Sequence, residues 1–522
     1  GHRAERNGAV RDQGRVLGLA RPAPMSLSTN AVLALSYAPL SDARQSTMTN
    51  PSVTAEHRVV IIGGGPGGYE AALVARQLGA AVTVIDRDGI GGSAVLTDCV
   101  PSKALVATAS VIRRAAHAGE LGVVVDGRAP REASIGVDLR RANDRIRELA
   151  AAQSRDIDAG LVSQGITVLD GTASVTAPGL VTVHHADATT STHPADTVLL
   201  ATGARPRVIE QAKPDGRRIL TWEQIYHLDE LPERLIVVGS GVTGAEFASA
   251  YRALGSHVVL VSSRERVLPG EDPDAAAVLE TVFDREGIEV LSRSRAIGAQ
   301  VIDDHVIVQL EGGRQVKGSH VLLAIGSIPN TEGIGLAEAG VVLDERGFVQ
   351  IDRVSRTSAP GIYAAGDCTG VLMLASVAAM QGRIAMRHAL GDALAPIDLA
   401  QVSSTVFTSP EIATVGATQR DVDAGRVVAD VVMLPLSSNP RAKIEEVTDG
   451  FVKLLCRRGT RTIAGAVVVG PHASELIHPL TMAVVARATV DELSTVFTVY
   501  PSLSGSIAEA ARRLHVATEL QH

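Results

Sequence analysis

The sequence predicts an α/β protein with two Rossmann-like parallel-sheet units and a third, C-terminal α/β unit. Two observations carry that prediction. A short β-branched stretch runs straight into a G-x-G-x-x-G turn, an alanine-rich helical stretch and a second apolar stretch. The same succession then recurs further along the chain. A strand–turn–helix–strand unit with glycines at those spacings is built to bind a dinucleotide, so two such units imply two dinucleotides.

In the first unit, residues 58–62 read as a strand, 69–78 as a helix and 81–85 as a second strand. Gly63, Gly65 and Gly68 form the fingerprint between strand and helix. Glycines there let the backbone approach a pyrophosphate at a helix N-terminus, where free N–H groups and the helix dipole favour anions. Asp86 ends the second strand, about 20 residues on, where an acid accepts bonds from a ribose 2′-OH. The second unit repeats the pattern, with strand 234–238, helix 245–254 and strand 257–261. Its fingerprint is Gly239, Gly241 and Gly244.

Composition bounds the function. The 522 residues suffice for several domains, and the net charge of −8 provides no basic face for nucleic acid or anionic lipid. Three cysteines (Cys99, Cys368, Cys456) exclude a disulfide framework and fit a reducing cytoplasm. No uninterrupted apolar run reaches the roughly 18–20 residues a membrane span needs. Residues 1–55 are rich in Arg, Ser, Ala and Pro, lack a period, and read as a disordered extension, with Met48 a natural start. His478 has no ligand spacing around it and reads as structural, so no metal site is expected.

The segment Gly91-Gly92-Ser93-Ala94-Val95-Leu96-Thr97-Asp98-Cys99-Val100-Pro101-Ser102-Lys103 resembles the redox-active helix of the flavoprotein disulfide reductases, the lipoamide dehydrogenase and glutathione reductase family. The resemblance extends from Arg58 to about Leu514. Leu199 to Ala204 resembles the end of the first flavin lobe, and Ala324 to Asn330 the end of the nicotinamide unit. Gly361 to Asp367 resembles the second flavin motif, and Val406 to Glu411 opens a segment like the family's dimerisation domain. The resemblance implies a homodimer with FAD-binding segments at 56–208 and 334–400, an NAD(P)H-binding domain at 209–333 and a dimerisation domain at 401–522. It assigns Thr202, Gly203, Asp367, Gly171 and Ala375 to cofactor binding, and Gly326 to the nicotinamide unit. Asp367 is implied to bond the ribityl chain.

The family carries two cysteines in this segment. Here the second is Cys99 and the first position is Ala94, which cannot form a disulfide. Cys99 alone is either a thiolate donating charge to the flavin or a small buried residue without a redox role. Lys103 matches the family lysine beside the flavin's reactive edge, and Glu246 matches its partner carboxylate. In the family the partner subunit supplies an acid–base pair in the pattern H-P-T-x-x-E. Here Tyr500 stands for the His and Gly505 for the Glu. Tyr titrates near 10 and is a poor base at neutral pH, and glycine orients nothing. Disulfide, base and orienter are all missing, which points to a different electron acceptor.

Quinones need neither thiol exchange nor a base of pKa near 7, and the sequence resembles the quinone-reductase branch of the family. The expected activity is hydride transfer from NAD(P)H to FAD and then to a quinone, without disulfide reduction. Tyr500 is a candidate to stack on or hydrogen-bond the quinone, or to pack at the dimer interface. No carboxylate stands at Ser262, and Ser263, Arg264 and Arg266 follow it. Arg264 and Arg266 suit the 2′-phosphate of NADPH, with NADH also used; the alternative is that both are solvated. Two other readings remain: a single-cysteine thiol or peroxide oxidoreductase cycling Cys99, and a flavin redox sensor of low turnover.

Overall fold

In the computed structural model, residues 56–131 and 134–515 are described, so the reading of residues 1–55 lies outside them. The strand Arg58–Ile62 is the middle of a five-stranded parallel sheet, flanked by Thr197–Leu200 and Ala81–Asp86. Ile362–Ala364 and Thr167–Asp170 form its edges. Four of the five residues in Arg58–Ile62 are buried. That is why the strand reads as a continuous apolar run and not as an alternation: both faces are covered. Arg234–Val238 occupies the same place in a second five-stranded parallel sheet, between His257–Val261 and His320–Leu323.

The chain leaves the first sheet after Thr197–Leu200 and returns to it as Ile362–Ala364, having built the second sheet in between. The two crossings lie side by side. Ala204–Pro206 pairs antiparallel with Ser327–Pro329. Both helices that follow the glycine turns start earlier than their sequence suggests, as Pro66–Gln77 and Val242–Leu254. Pro66 explains the first case. Its fixed φ suits the opening helical position, where its missing N–H costs nothing.

The third unit is an antiparallel sheet in the order Ser403–Val406, Glu411–Gly416, Ile463–Gly470, Phe451–Arg457, Ala429–Pro435. The helices Ala473–Val485 and Gly505–His515 cover it through Ile477, Leu480, Ile507 and Leu514. Two small antiparallel sheets, Thr172–Pro194 and Ala296–Gly318 in extent, are appended to the parallel ones.

The segment Gly92–His117 has a spanning helix's length, and an 18-residue window within it has a mean hydropathy of 1.4, which counting uninterrupted apolar runs did not bring out. It is two helices, Gly92–Leu96 and Cys99–His117, broken at Thr97–Asp98. Its Lys103 is salt-bridged to Glu246, so it is an internal element of the folded unit.

A buried charge cluster ties the third unit to the second. Lys453 Nζ, on the strand Phe451–Arg457, donates to both oxygens of Asp272 at 3.0 and 2.9 Å and to Asp274 Oδ2 at 2.5 Å. The side chains of Lys453 and Asp272 are 2% and 3% exposed. Asp272 also caps the helix Pro273–Glu286, accepting from the N–H groups of Asp274 and Ala275. One carboxylate therefore ends a helix and neutralises an ammonium from another unit.

Candidate active site

The glycines of each fingerprint have separate physical reasons. Gly63 has φ +106, and a Cβ on it would lie 2.2 Å from Ala201 O. A Cβ on Gly68 would lie 1.9 Å from Gly63 O, so strand and helix can meet only there without a side chain. Gly65 differs. Its φ of −67 is open to any residue, and a Cβ would meet only Gly92 Cα, at 4.0 Å. The second turn repeats this. Gly239 and Gly244 are closed by Ala324 O and Gly239 O, at 2.1 and 1.8 Å, whereas nothing lies within 4 Å of a Cβ on Gly241. Gly241 has φ −74, so strain does not explain it either. In both turns the middle glycine keeps open a space beside a helix N-terminus, where a pyrophosphate fits.

Asp86 holds the first turn in shape. Its Oδ2 accepts from Gly64 N at 2.6 Å and its Oδ1 from Asp88 N and Gly89 N at 2.8 and 2.9 Å. Gly171 donates its N–H to Asp86 O at 3.0 Å. Thr202 and Gly203 meet the end of the second unit: Asn330 Nδ2 donates to Thr202 O, and Asn330 N to Gly203 O, both at 3.0 Å. Gly326 (φ +91) lies just before the strand Ser327–Pro329, with open space where a Cβ would stand. Ala375 opens the helix Ala375–Ala389, which packs on Pro66–Gln77 closely enough that a Cβ on Gly382 would lie 2.1 Å from Gly67 O. Asp367 follows Gly366 at a short helical turn. Burial, reinforced by the charge of Asp98, pushes its carboxyl up to about 6, and among the described residues it has no side-chain hydrogen bond. A half-buried carboxyl with no hydrogen-bond partner among the described residues suits the hydroxyls of a ribityl chain.

All three units meet at Lys103. Its Nζ donates to Glu246 Oε2 at 3.0 Å, joining the first unit to the second. Glu246 Oε1 accepts from Phe407 N of the third unit at 2.9 Å. The Phe407 ring lies 4.9 Å from Lys103 Nζ. Ser409 N adds a bond to Ser249 Oγ at 3.2 Å. Burial alone would lower the lysine's pKa; Glu246, Cys99 and Asp98 together outweigh it and raise it. Lys103 is therefore a fixed cation, and Glu246 is only 4% exposed. Phe407 lies in the segment Val406 to Glu411, which the sequence marks only as the opening of the third unit; a backbone N–H leaves no trace in residue identity.

Cys99 opens the helix Cys99–His117 and is a free thiol. Burial first, then the charge of Asp98, pushes its pKa up to about 12, against the pull of Lys103. At neutral pH it is a protonated thiol, a poor nucleophile. Asp98 was missed in the sequence, where the segment was read for its cysteines.

At the second nucleotide turn, Ser262 is fully buried, and its hydroxyl is hydrogen-bonded to Ser240 Oγ at 2.7 Å and engaged with Arg264 at 3.1 Å (N) and 3.2 Å (O). The strand therefore ends on an inward serine. Ser263, Arg264 and Arg266 are exposed beyond it. Glu265 pairs with Arg293, whereas the guanidinium groups of Arg264 and Arg266 have no ion pair among the described residues.

Tyr500 stands apart from these groups in a single chain, at 82% exposure, and Gly505 begins the last helix. His478 is exposed on the helix Ala473–Val485. Among the described residues no group of three or more His, Cys, Asp or Glu side chains is placed to hold a metal.

Residues 57–382 match the family described as pyridine nucleotide-disulphide oxidoreductase, and residues 402–511 match that family's dimerisation domain. The chain belongs to this family of pyridine nucleotide-dependent flavoprotein oxidoreductases. Within it, the chain is 53% identical over 475 residues to the NAD(P)H dehydrogenase (quinone) of Mycobacterium tuberculosis, covering 89% of this chain and 95% of the relative. It is 34% identical to the dihydrolipoyl dehydrogenase of Chlamydia trachomatis, over 87% of this chain and 95% of that one. Among solved structures, LpdA from Mycobacterium tuberculosis superposes with a TM-score of 0.84 at 53% identity, covering 88% of this chain and 99% of that one. The HOCl-induced flavoprotein disulfide reductase RclA of Escherichia coli gives 0.77 at 25% identity, with 87% and 99% covered.

Proposed function

We propose that the chain is an FAD-dependent NAD(P)H:quinone oxidoreductase that works as a homodimer in the cytoplasm. One observation carries the reading: the Lys103–Glu246 pair at the meeting of three units is intact, while the thiol machinery beside it is not. Ala94 removes one sulfur, Cys99 is held as a protonated thiol, and Tyr500 and Gly505 replace the base and its orienter. The flavin, when bound, supplies two-electron relay between nicotinamide and acceptor. Gly63, Gly65, Gly68 and Asp367 would hold it; Gly239, Gly241 and Gly244 would hold the nicotinamide nucleotide. Lys103, kept charged by Glu246, sets a positive potential at the junction. Support for a second copy comes from Phe497, Val499 and Tyr500, at 102%, 78% and 82% exposure, an apolar cluster that one chain leaves open to water. The relative named as a quinone dehydrogenase supports the choice of acceptor.

The test is anaerobic titration of the purified protein with NADPH, followed by menadione. Bleaching of the visible flavin band by one equivalent, and rapid recovery with menadione, is the expected result. A requirement for a second reducing equivalent, or recovery with a disulfide alone, contradicts the reading.

The preferred nucleotide in this proposal is NADPH, with NADH also accepted, because the exposed guanidinium groups of Arg264 and Arg266 have no ion pair among the described residues and lie just past a strand that ends without an acid. Loss of one charge-assisted bond to a phosphate costs about 1.5–3 kcal/mol. Arg264→Ala should therefore raise the KM for NADPH at least ~10-fold and leave the KM for NADH nearly unchanged. Equal effects on both nucleotides would show that Arg264 does not read the 2′-phosphate.

A further inference from the structure

The break between the helices Gly92–Leu96 and Cys99–His117 is made by Asp98, whose N–H donates to Ser93 O at 2.7 Å. Asp98 occupies a helix N-cap and does not cap: its carboxylate accepts nothing from that helix. Asp138, Asp272 and Asp398 occupy the same kind of position, and each accepts from a backbone N–H. Among the described residues the Asp98 carboxyl has neither a hydrogen bond nor an ion pair, although Lys103 is within electrostatic range. Lys103 is committed to Glu246 instead.

The ionisable groups within electrostatic range of Asp98 come from several elements. They are Cys99 and Lys103 on its own helix, Glu246 on Val242–Leu254, Asp367 after Ile362–Ala364, and Glu223 and Tyr226 near Ile219–Thr221. Three of these are carboxyl groups, and one is a tyrosine, 3% exposed, whose buried hydroxyl lacks a hydrogen-bond partner. Beside them lies a cavity of about 160 Å³, lined in part by Thr97, Glu223, Tyr226 and His227. That volume holds several waters; its lining is mostly aliphatic, and Thr97, Glu223, Tyr226 and His227 are among the few polar partners it offers them.

We propose that Asp98 is a catalytic acid of the acceptor half-reaction. This rests on the quinone reading above. Reducing a quinone to a hydroquinone takes two electrons and two protons. A hydride equivalent from the reduced cofactor supplies both electrons and one proton, leaving a hydroquinone monoanion. The Asp98 O–H bond breaks, its proton passes to the anionic oxygen, and the carboxylate, itself partly exposed, regains a proton from solvent water. Summed with hydride uptake from NAD(P)H, one proton is drawn from solvent per turnover. The acid stands next to the thiol that has lost its partner, in a chain whose partner-subunit base is replaced by Tyr500. Burial and the neighbouring charge of Glu246 keep the Asp98 carboxyl protonated to higher pH than an ordinary aspartate, against the pull of Lys103.

The test uses the flavin-loaded dimer and three versions of it: wild type, Asp98→Asn and Asp98→Glu. Infrared difference spectra of wild type against Asp98→Asn, recorded across a pH series, should contain a protonated-carboxyl stretch absent from the Asn variant. Stopped-flow separates the halves. Reoxidation by menadione should slow by about 10²-fold in Asp98→Asn, the usual range for loss of a general acid, and by at least tenfold more than reduction by NADPH slows. Wild-type reoxidation should fall as pH rises through the carboxyl's titration, the Asn variant should be flat, and Asp98→Glu should regain part of the rate. A missing carboxyl band, or equal slowing of both halves, overturns the assignment of Asp98 alone. A wild-type protein that menadione does not reoxidise overturns the quinone reading, and the role of Asp98 with it.

Discussion

Replacing Lys453 with alanine is expected to cost about 3–5 kcal/mol of folding stability. Truncation leaves Asp272, 3% exposed at its side chain, buried without its counter-charge, while Asp274 keeps access to water. Removing one member of a buried pair costs more than the pair itself contributes, because the remaining charge has lost the water that solvated it in the unfolded chain. The double variant Lys453→Met with Asp272→Asn should recover most of the loss. Methionine fills the lysine's volume, and asparagine still caps the helix Pro273–Glu286 by accepting from Asp274 N and Ala275 N. Urea unfolding at fixed protein concentration measures both, since association would shift the midpoint. A loss below about 1 kcal/mol for Lys453→Ala would mean that water reaches Asp272 and that the cluster is not a buried clasp.

Gly241→Val is expected to weaken NADPH binding at least ~100-fold while leaving the melting temperature close to wild type. The backbone at Gly241 has φ −74, which valine adopts readily, and no protein atom lies within 4 Å of the new Cβ. What the side chain enters is the space over the N-terminus of Val242–Leu254. A pyrophosphate displaced from that helix end forfeits two or more charge-assisted bonds to backbone N–H groups, each worth about 1.5–3 kcal/mol. Gly244→Ala is the contrasting case. There a Cβ would stand 1.8 Å from Gly239 O, so the strand and helix must separate and stability falls. Equilibrium binding by fluorescence and thermal melts of the two variants distinguish a ligand role from a packing role. Unchanged NADPH affinity in Gly241→Val would remove the second turn from the nucleotide site.

The parallel sheets were legible because their strands are buried on both faces. Arg58–Ile62, Arg234–Val238 and His257–Val261 read as short continuous β-branched runs, and glycines at fixed spacing mark the turn after the first two. The small sheets around Leu180–His184 and His305–Leu310 were not read. Their alternation is brief, and they are attached by long-range packing that local periodicity does not encode. At the site, Lys103 and Glu246 were matched through their motifs, and the geometry brings them together at 3.0 Å. Phe407, Lys453 and Asp98 escaped for physical reasons. Phe407 acts through a backbone group and Lys453 through partners distant in sequence, and residue type alone reveals neither; Asp98 is marked by what its carboxyl leaves unbonded, which only the fold shows. Helix starts at Pro66 and Val242 were set too late because glycine's low helix propensity hides a turn that packing holds in place.

The most direct test of an acceptor reaction that proceeds without thiol chemistry is the Cys99→Ser variant, assayed for NADPH-dependent menadione reduction beside wild type at neutral pH. Cys99 is a protonated thiol with its pKa pushed up to about 12, and Ala94 offers it no sulfur partner. Turnover by the serine variant should therefore stay within about twofold of wild type, since the change swaps one small neutral side chain for another. A variant that keeps its flavin and is still reduced by NADPH, yet has lost menadione reduction, would contradict the account and make Cys99 the electron carrier.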